Sequence, residues 1–233
     1  SYFFYACWDY RFLSLIIFST IIDYFSALKI VSEKNQNKRK LILFVSIFSN
    51  LGILFFFKYF GFFIENFQSV FSFFGAKVNI SSLNIILPVG VSFYTFQTLS
   101  YTIDVYRKNI LPTRDFISFS AFVSFFPQLV AGPIERATNL LPQFYERRKF
   151  NFDQSVDGFR QILWGLFKKV VVADQCALVA NTIFDGYTEY SGSTLIIGAI
   201  FFSFQIYGDF SGYSDIAIGL SRLLGFNLKN NFS

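Results

Sequence analysis

The 233-residue chain is 53% hydrophobic, 22% aromatic and only 15% charged, with a mean hydropathy of +0.45, which excludes an ordinary soluble domain, where about a quarter of the residues carry charge. Its net charge of +5 falls mainly in short loops between apolar runs, which excludes a nucleic-acid-binding surface and marks a chain that lives in lipid. Cys7 and Cys176 stand far apart with no ligand spacing, so no metal site is expected.

Residues 12–31 and 41–63 each supply about the twenty apolar residues that a helix needs to cross a bilayer. The loop 32–40 between them carries Lys34, Lys38, Arg39 and Lys40 against Glu33, and the positive-inside rule puts it in the cytoplasm. Residues 63–82 read as an amphipathic segment lying in the outer interface. Residues 84–106 return inward, with a bend expected at Pro88 and Gly90. Residues 115–133 are apolar but flanked on both sides by basic clusters, which predicts a re-entrant segment with irregular backbone at Pro127 and Gly132–Pro133.

A further span runs from Val156 to Phe184. Arg160, Lys168 and Lys169 are expected to snorkel to the inner interface, with Asp174 and Gln175 deeper. The acidic loop 185–193 then lies outside, and the last span, Thr194 to Phe226, is expected to be interrupted at YGDFSGYSD, residues 207–215, before Arg222 and Lys229 return it to the inner side. The predicted fold class is all-α: a polytopic integral membrane helical bundle with broken, re-entrant and interfacial helices. Residues 1–233 form one membrane-embedded domain. With no Met and an opening at Ser1, that domain is expected to be incomplete at both ends.

Within 84–106, Gln97, Ser100, Tyr101 and Asp104 share one helical face, while Ser92, Thr95 and Thr102 share another. A helix polar on two faces cannot lie against lipid and belongs inside a bundle. There its polar groups either join helices by hydrogen bonds or line a wet cavity. In 204–219, Asp209 and Asp215 sit in an apolar stretch, where ionisable groups are costly and mark a site or pathway. The competing reading is that Gly208 and Gly212 break the helix and Asp209 or Ser211 caps its restart. Residues 125–137 form a shaped turn in which Arg136 serves either as an inner anchor or as a contact for the phosphate of a cytosolic donor.

LPVGVSFYTFQTLSYTIDVYR (87–107), FFPQLVAGPIERA (125–137) and FQIYGDFSGYSDIAIGLSRLLGFNL (204–228) together resemble signature stretches of the membrane-bound O-acyltransferase superfamily, most closely its alginate O-acetyltransferase branch. WDY near the start and IIDY (21–24) fit the same branch. The resemblance implies a helical bundle around a central funnel in the bacterial plasma membrane. It also implies transfer of an acyl group, here acetyl, from a cytosolic donor such as acetyl-CoA toward hydroxyls of an extracytoplasmic polysaccharide. Periplasmic or surface partner proteins would complete the modification, and no bound cofactor is expected. The family's catalytic residue is a His in a segment resembling FWRRWH. This chain has no His, so that residue is expected beyond Ser233, where it would act as general base or orient the acyl carbonyl.

On the matching motifs, Tyr94, Gln97, Asp104, Gln128, Pro133, Tyr207, Asp209, Tyr213 and Asp215 are the expected cavity or pathway residues, as support and not as catalysts. A transporter or channel would also place broken spans and carboxylates in the membrane, but would show paired interrupted helices in repeated halves. A non-catalytic scaffold would fit the missing His.

Overall fold

The computed structural model describes residues 1–73, 87–130 and 132–231. All regular elements among them are helical, and they fall into two compact units: Ser1–Ser124 with Arg136–Thr138, and Phe125–Glu135 with Asn139–Ser233.

In the first unit, α1 (Tyr2–Ser32) is broken once, at Asp9, whose backbone is extended. The Asp9 carboxylate accepts the backbone N–H of Arg11 at 2.9 Å and so caps the restarted helix. After a short loop, α2 (Gln36–Leu54) begins at Asn35, whose side chain accepts from the N–H groups of Asn37 and Lys38. It passes through a π-helical turn, Phe55–Tyr59, into α3 (Phe60–Phe73) without a break. Residues 63–73 therefore prolong the second long helix instead of forming a separate interfacial one. The remainder of that predicted segment, 74–82, lies outside the described residues.

Pro88 and Gly90 make the expected turn, with Gly90 at φ 74, a left-handed value that glycine adopts without penalty. The helix that follows, α4 (Val91–Tyr106), has 16 residues. It rises only ~24 Å, less than the ~30 Å hydrocarbon layer. Its burial matches the two-faced polarity of its sequence: Tyr94, Thr95, Gln97, Thr98, Tyr101, Thr102 and Asp104 are all buried, against α1 and α2. Next, α5 (Phe116–Val123) has eight residues, starts at the Asp115 cap and stops before Pro127. It does not cross as a helix, in keeping with a re-entrant segment.

The second unit takes in most of the short α6 (Ala137–Gln143), then α7 (Phe152–Phe167), a π-helical turn at Lys168–Ala173, and α8 (Asp174–Asp185). The chain then turns back into α9 (Gly192–Leu223), a single helix of 32 residues. YGDFSGYSD does not interrupt it. Gly208 and Gly212 serve close approach: a Cβ at Gly212 would lie 2.8 Å from the Gly165 carbonyl oxygen, and one at Gly165 would lie 2.5 Å from that of Gly212. Gly158 and Gly219 make the same reciprocal contact at 2.8 and 2.4 Å, and Gly208 faces Ala173 at 3.0 Å. This is the small-residue packing by which helices join in lipid, where burial of apolar surface gives no advantage over the acyl chains.

Three helical stretches among the described residues are long and apolar enough to cross a membrane: Tyr2–Ser32, Gln36–Gln68 and Gly192–Leu223. Their outer faces show Phe44, Phe48, Phe62, Ile196 and Ile197, the surface expected where lipid is the solvent. The chain is thus an all-α membrane protein.

Gly212→Ala is expected to destabilise the full-length protein by about 1–3 kcal/mol, the usual range for overpacking. The check is thermal unfolding in detergent, with Gly52→Ala as control, since nothing lies within 4 Å of a Cβ at Gly52. Equal melting of the two variants would show that the seam does not hold the pair together.

Candidate functional site

The glycine contacts bring α9 close enough for two adjacent lysines of the π turn to reach its carboxylates. Lys168 donates to Asp215 at 2.6 Å and to the Ser211 hydroxyl at 2.8 Å, while Gln161 donates its amide to the other Asp215 oxygen at 3.1 Å. Lys169 donates to Asp209 at 2.6 Å and to Asp174 at 2.7 Å. The two lysines expected to snorkel are thus each engaged by fixed carboxylates. The Lys168–Asp215 pair is well sheltered, its side chains 17% and 18% exposed, whereas Lys169 and Asp209 are 45% and 39% exposed.

The more open pair borders a cavity of about 380 Å³ whose wall also includes Ile206, Phe210, Tyr213 and Ile216. It is an apolar recess with an ion pair at its edge. Asp209 and Tyr213 come together there, one helical turn apart on α9. Asp215 is turned onto the glycine seam, and Tyr207 is half exposed on the same helix. Neither carboxylate caps a helix restart, since α9 is unbroken.

Gln128 and Pro133 lie in the turn before α6, both buried, and neither amide atom of Gln128 has a hydrogen-bond partner among the described residues. Glu135, only 2% exposed, accepts the backbone N–H of Lys229 and, at 2.8 Å, the Asn139 amide. Burial pushes its carboxyl up from the usual range, and the Lys229 N–H and Asn139 partly offset that. Gln143 holds Asn227 by donating to its carbonyl at 2.9 Å and accepting its N–H at 2.8 Å. Glu135, Asn139 and Gln143 are thereby tied to residues 227–229.

The remaining expected residues belong to the first unit. Gln97 donates to the Phe122 carbonyl at 2.9 Å, which ties α4 to α5. Asp104 accepts from the Asn109 amide at 3.0 Å. Tyr94 is fully buried. The Gln97 contact suits helix joining, and that of Asp104 closes the end of α4. Asp23, in the IIDY stretch, is not among the residues expected from the sequence. Asp23 is fully buried and accepts the Ser46 hydroxyl at 2.5 Å and the Asn50 amide at 2.8 Å. Ser19 donates to Asn50 at 2.5 Å and meets Thr98 at 3.2 Å. The signal for Asp23 was an acid within an apolar span. The signal for Lys168 and Lys169 was two adjacent cations between the glycines of one long helix.

No protein-family model matches the chain. Along its whole length it is 39% identical to the probable alginate O-acetylase AlgI of Pseudomonas putida, covering 47% of that protein. It is 35% identical to the peptidoglycan O-acetyltransferase of Helicobacter pylori, again over the whole chain and 48% of the relative. The similarity to the teichoic acid D-alanyltransferase of Bacillus subtilis is lower, 26% over 64% of the chain and 38% of that protein. The chain spans about half the length of the curated relatives it matches. Identity of 35–39% along the whole chain to named O-acetylases, with an all-helical membrane fold among the described residues, places the chain with the membrane-bound O-acyltransferases. The chain belongs to that superfamily, in its alginate O-acetyltransferase branch.

Lys168→Met leaves Asp215 without its cation in a sheltered position. It is expected to lower stability by about 3–5 kcal/mol, the range for breaking a buried pair from one side. The double variant Lys168→Met/Asp215→Leu is expected to recover much of that loss. Additive losses in a double-mutant cycle of unfolding free energies would mean the two side chains do not interact.

Proposed function

We propose that the chain is part of a membrane-bound O-acyltransferase that moves acetyl groups from a cytosolic donor such as acetyl-CoA toward hydroxyls of an extracytoplasmic polysaccharide. The observation that carries this reading is similarity along the entire chain to proteins named as O-acetylases of surface polymers, at 39% identity for one of them. In this reading the protein crosses the bacterial plasma membrane several times, and periplasmic or surface partners complete the modification. The proton-transferring His lies outside these 233 residues, none of which is His.

The residues of this chain then serve as support. Tyr94, Gln97 and Asp104 hold the central short helix in place. Gln128 and Pro133 shape the turn at the inner boundary. Asp209 and Tyr213, with Lys169, present a polar edge to an otherwise apolar cavity, while Asp215 locks the helix that carries them and Tyr207 against Lys168. A polar edge of this kind can orient an acyl donor or acceptor, and a small misplacement there is costly to the reaction.

The test follows labelled acetyl groups from acetyl-CoA into surface glycan in membranes that contain the full-length protein. Incorporation is expected, and it is expected to fall by up to about a hundredfold in Asp209→Asn, the scale of a slight misplacement at a reacting centre. Solute uptake with no acetyl transfer would favour a transporter. Undiminished acetylation by Asp209→Asn at normal abundance would rule out a required charge at that position.

A further inference from the structure

A second recess lies where α7 begins and α9 ends, and the acyl-transfer reading makes no use of it. It encloses about 320 Å³ and is lined by Arg148, Lys149, Asn151, Gln154, Arg222 and Gly225, among others, with no carboxylate in its wall. The three cations are held in different ways. The Arg148 guanidinium sits 4.0 Å from the centre of the Phe226 ring. Its stem runs over Gly225, where φ is +77 and a Cβ would come within 3.2 Å of it. A cation seated on an aromatic face keeps its N–H groups in plane and available. Arg222 is tied to Asp157 outside the wall. Lys149 makes no hydrogen bond or ion pair among the described residues.

Asn151 already accepts the N–H of Gln154 at 3.1 Å, so the basic side chains, and not the start of α7, give the recess its preference for an anion. The rim adds a second kind of chemistry. Phe150 and Phe152 are 81% and 70% exposed beside Lys149, and Leu224 is 40% exposed at the foot of α9. Exposed rings next to a free cation, at the end of a membrane-spanning helix, match the level where acyl chains give way to phosphates. A soluble phosphate ligand would have no use for the rings.

We propose that this recess seats the phosphate of an anionic phospholipid in the leaflet where α9 ends. Arg148 and Lys149 contact the phosphate, and Phe150 and Phe152 enter the acyl region. The inference is independent of the acyl-transfer reading, since it needs only that the chain be embedded in a membrane.

Native mass spectrometry of the full-length protein in detergent tests it, with phosphatidylglycerol and phosphatidylcholine of the same chain length added separately. Retention of phosphatidylglycerol in preference to phosphatidylcholine is expected. Lys149→Gln is expected to weaken that preference about fivefold, as expected for one basic residue at an anionic surface. Arg148→Gln/Lys149→Gln should remove it, and Lys38→Gln, in a different basic loop, should leave it intact. Because Arg148 packs on Phe226, Lys149→Gln alone decides the matter if the double variant does not fold. Equal retention of the two lipids, an unchanged preference in Lys149→Gln, or equal loss in Lys38→Gln would overturn the proposal. Displacement of the bound lipid by excess coenzyme A would overturn it too, by assigning the recess to a soluble phosphate.

Discussion

In lipid, two helices gain nothing by hiding apolar surface from each other, so what brings α7 and α9 together has to be close backbone contact and polar pairing. Gly158 against Gly219 and Gly165 against Gly212 supply the first, each glycine standing where a Cβ would meet the opposite carbonyl. The second follows from it. Lysine side chains reach Asp215 and Asp209 at 2.6 Å because the backbones have already come together. Without that approach, two lysines and three aspartates would stand in an apolar layer with only water defects to solvate them. The cavity beside Lys169 and Asp209 is thus a by-product of a seam made of residues with no side chain.

The first unit is held differently. Its shared element is α4, too short to span on its own and buried on more than one face. Hydroxyls and an amide from α1, α2 and α4 meet around Asp23, which has no ion-pair partner among the described residues. A cluster of uncharged donors fixes register without the desolvation penalty of a second buried charge. The two units therefore use the two solutions open to a polar group in a membrane: one answers a carboxylate with lysine, the other with uncharged donors.

Much of this was legible in the residues themselves. Length and apolarity located the long helices, two-faced polarity put α4 inside, and basic flanks on both sides of 115–133 argued against a crossing. What misled was glycine. In a soluble helix, Gly208 and Gly212 amid YGDFSGYSD read as a break with a cap, whereas in lipid the same residues mark contact. Whether a glycine ends a helix or seats a neighbour depends on what lies opposite, and Gly165 is too far away in the sequence for local reasoning to weigh. The partners of Lys168 and Lys169 were hidden for a similar reason. Of the acids they meet, Asp174 lies five residues from Lys169, but Asp209 and Asp215 lie 40 and 47 residues away from the lysines they hold. The Asp23 cluster was hidden because its partners Ser46, Asn50 and Thr98 look unremarkable singly.

The π-helical turns at Phe55–Tyr59 and Lys168–Ala173 bear on how such a chain tolerates change in length. A π turn holds one residue more than the α turn it replaces, which amounts to an insertion absorbed inside a helix without unravelling it. The added residue rotates everything after it relative to everything before. Gly165 and Ala173 can thus both meet α9 although eight positions separate them, where a strict seven-residue step from Gly158 and Gly165 would have called on position 172. Along such a helix, alignment in steps of seven is kept piecewise, and each π turn is a place where the phase is reset.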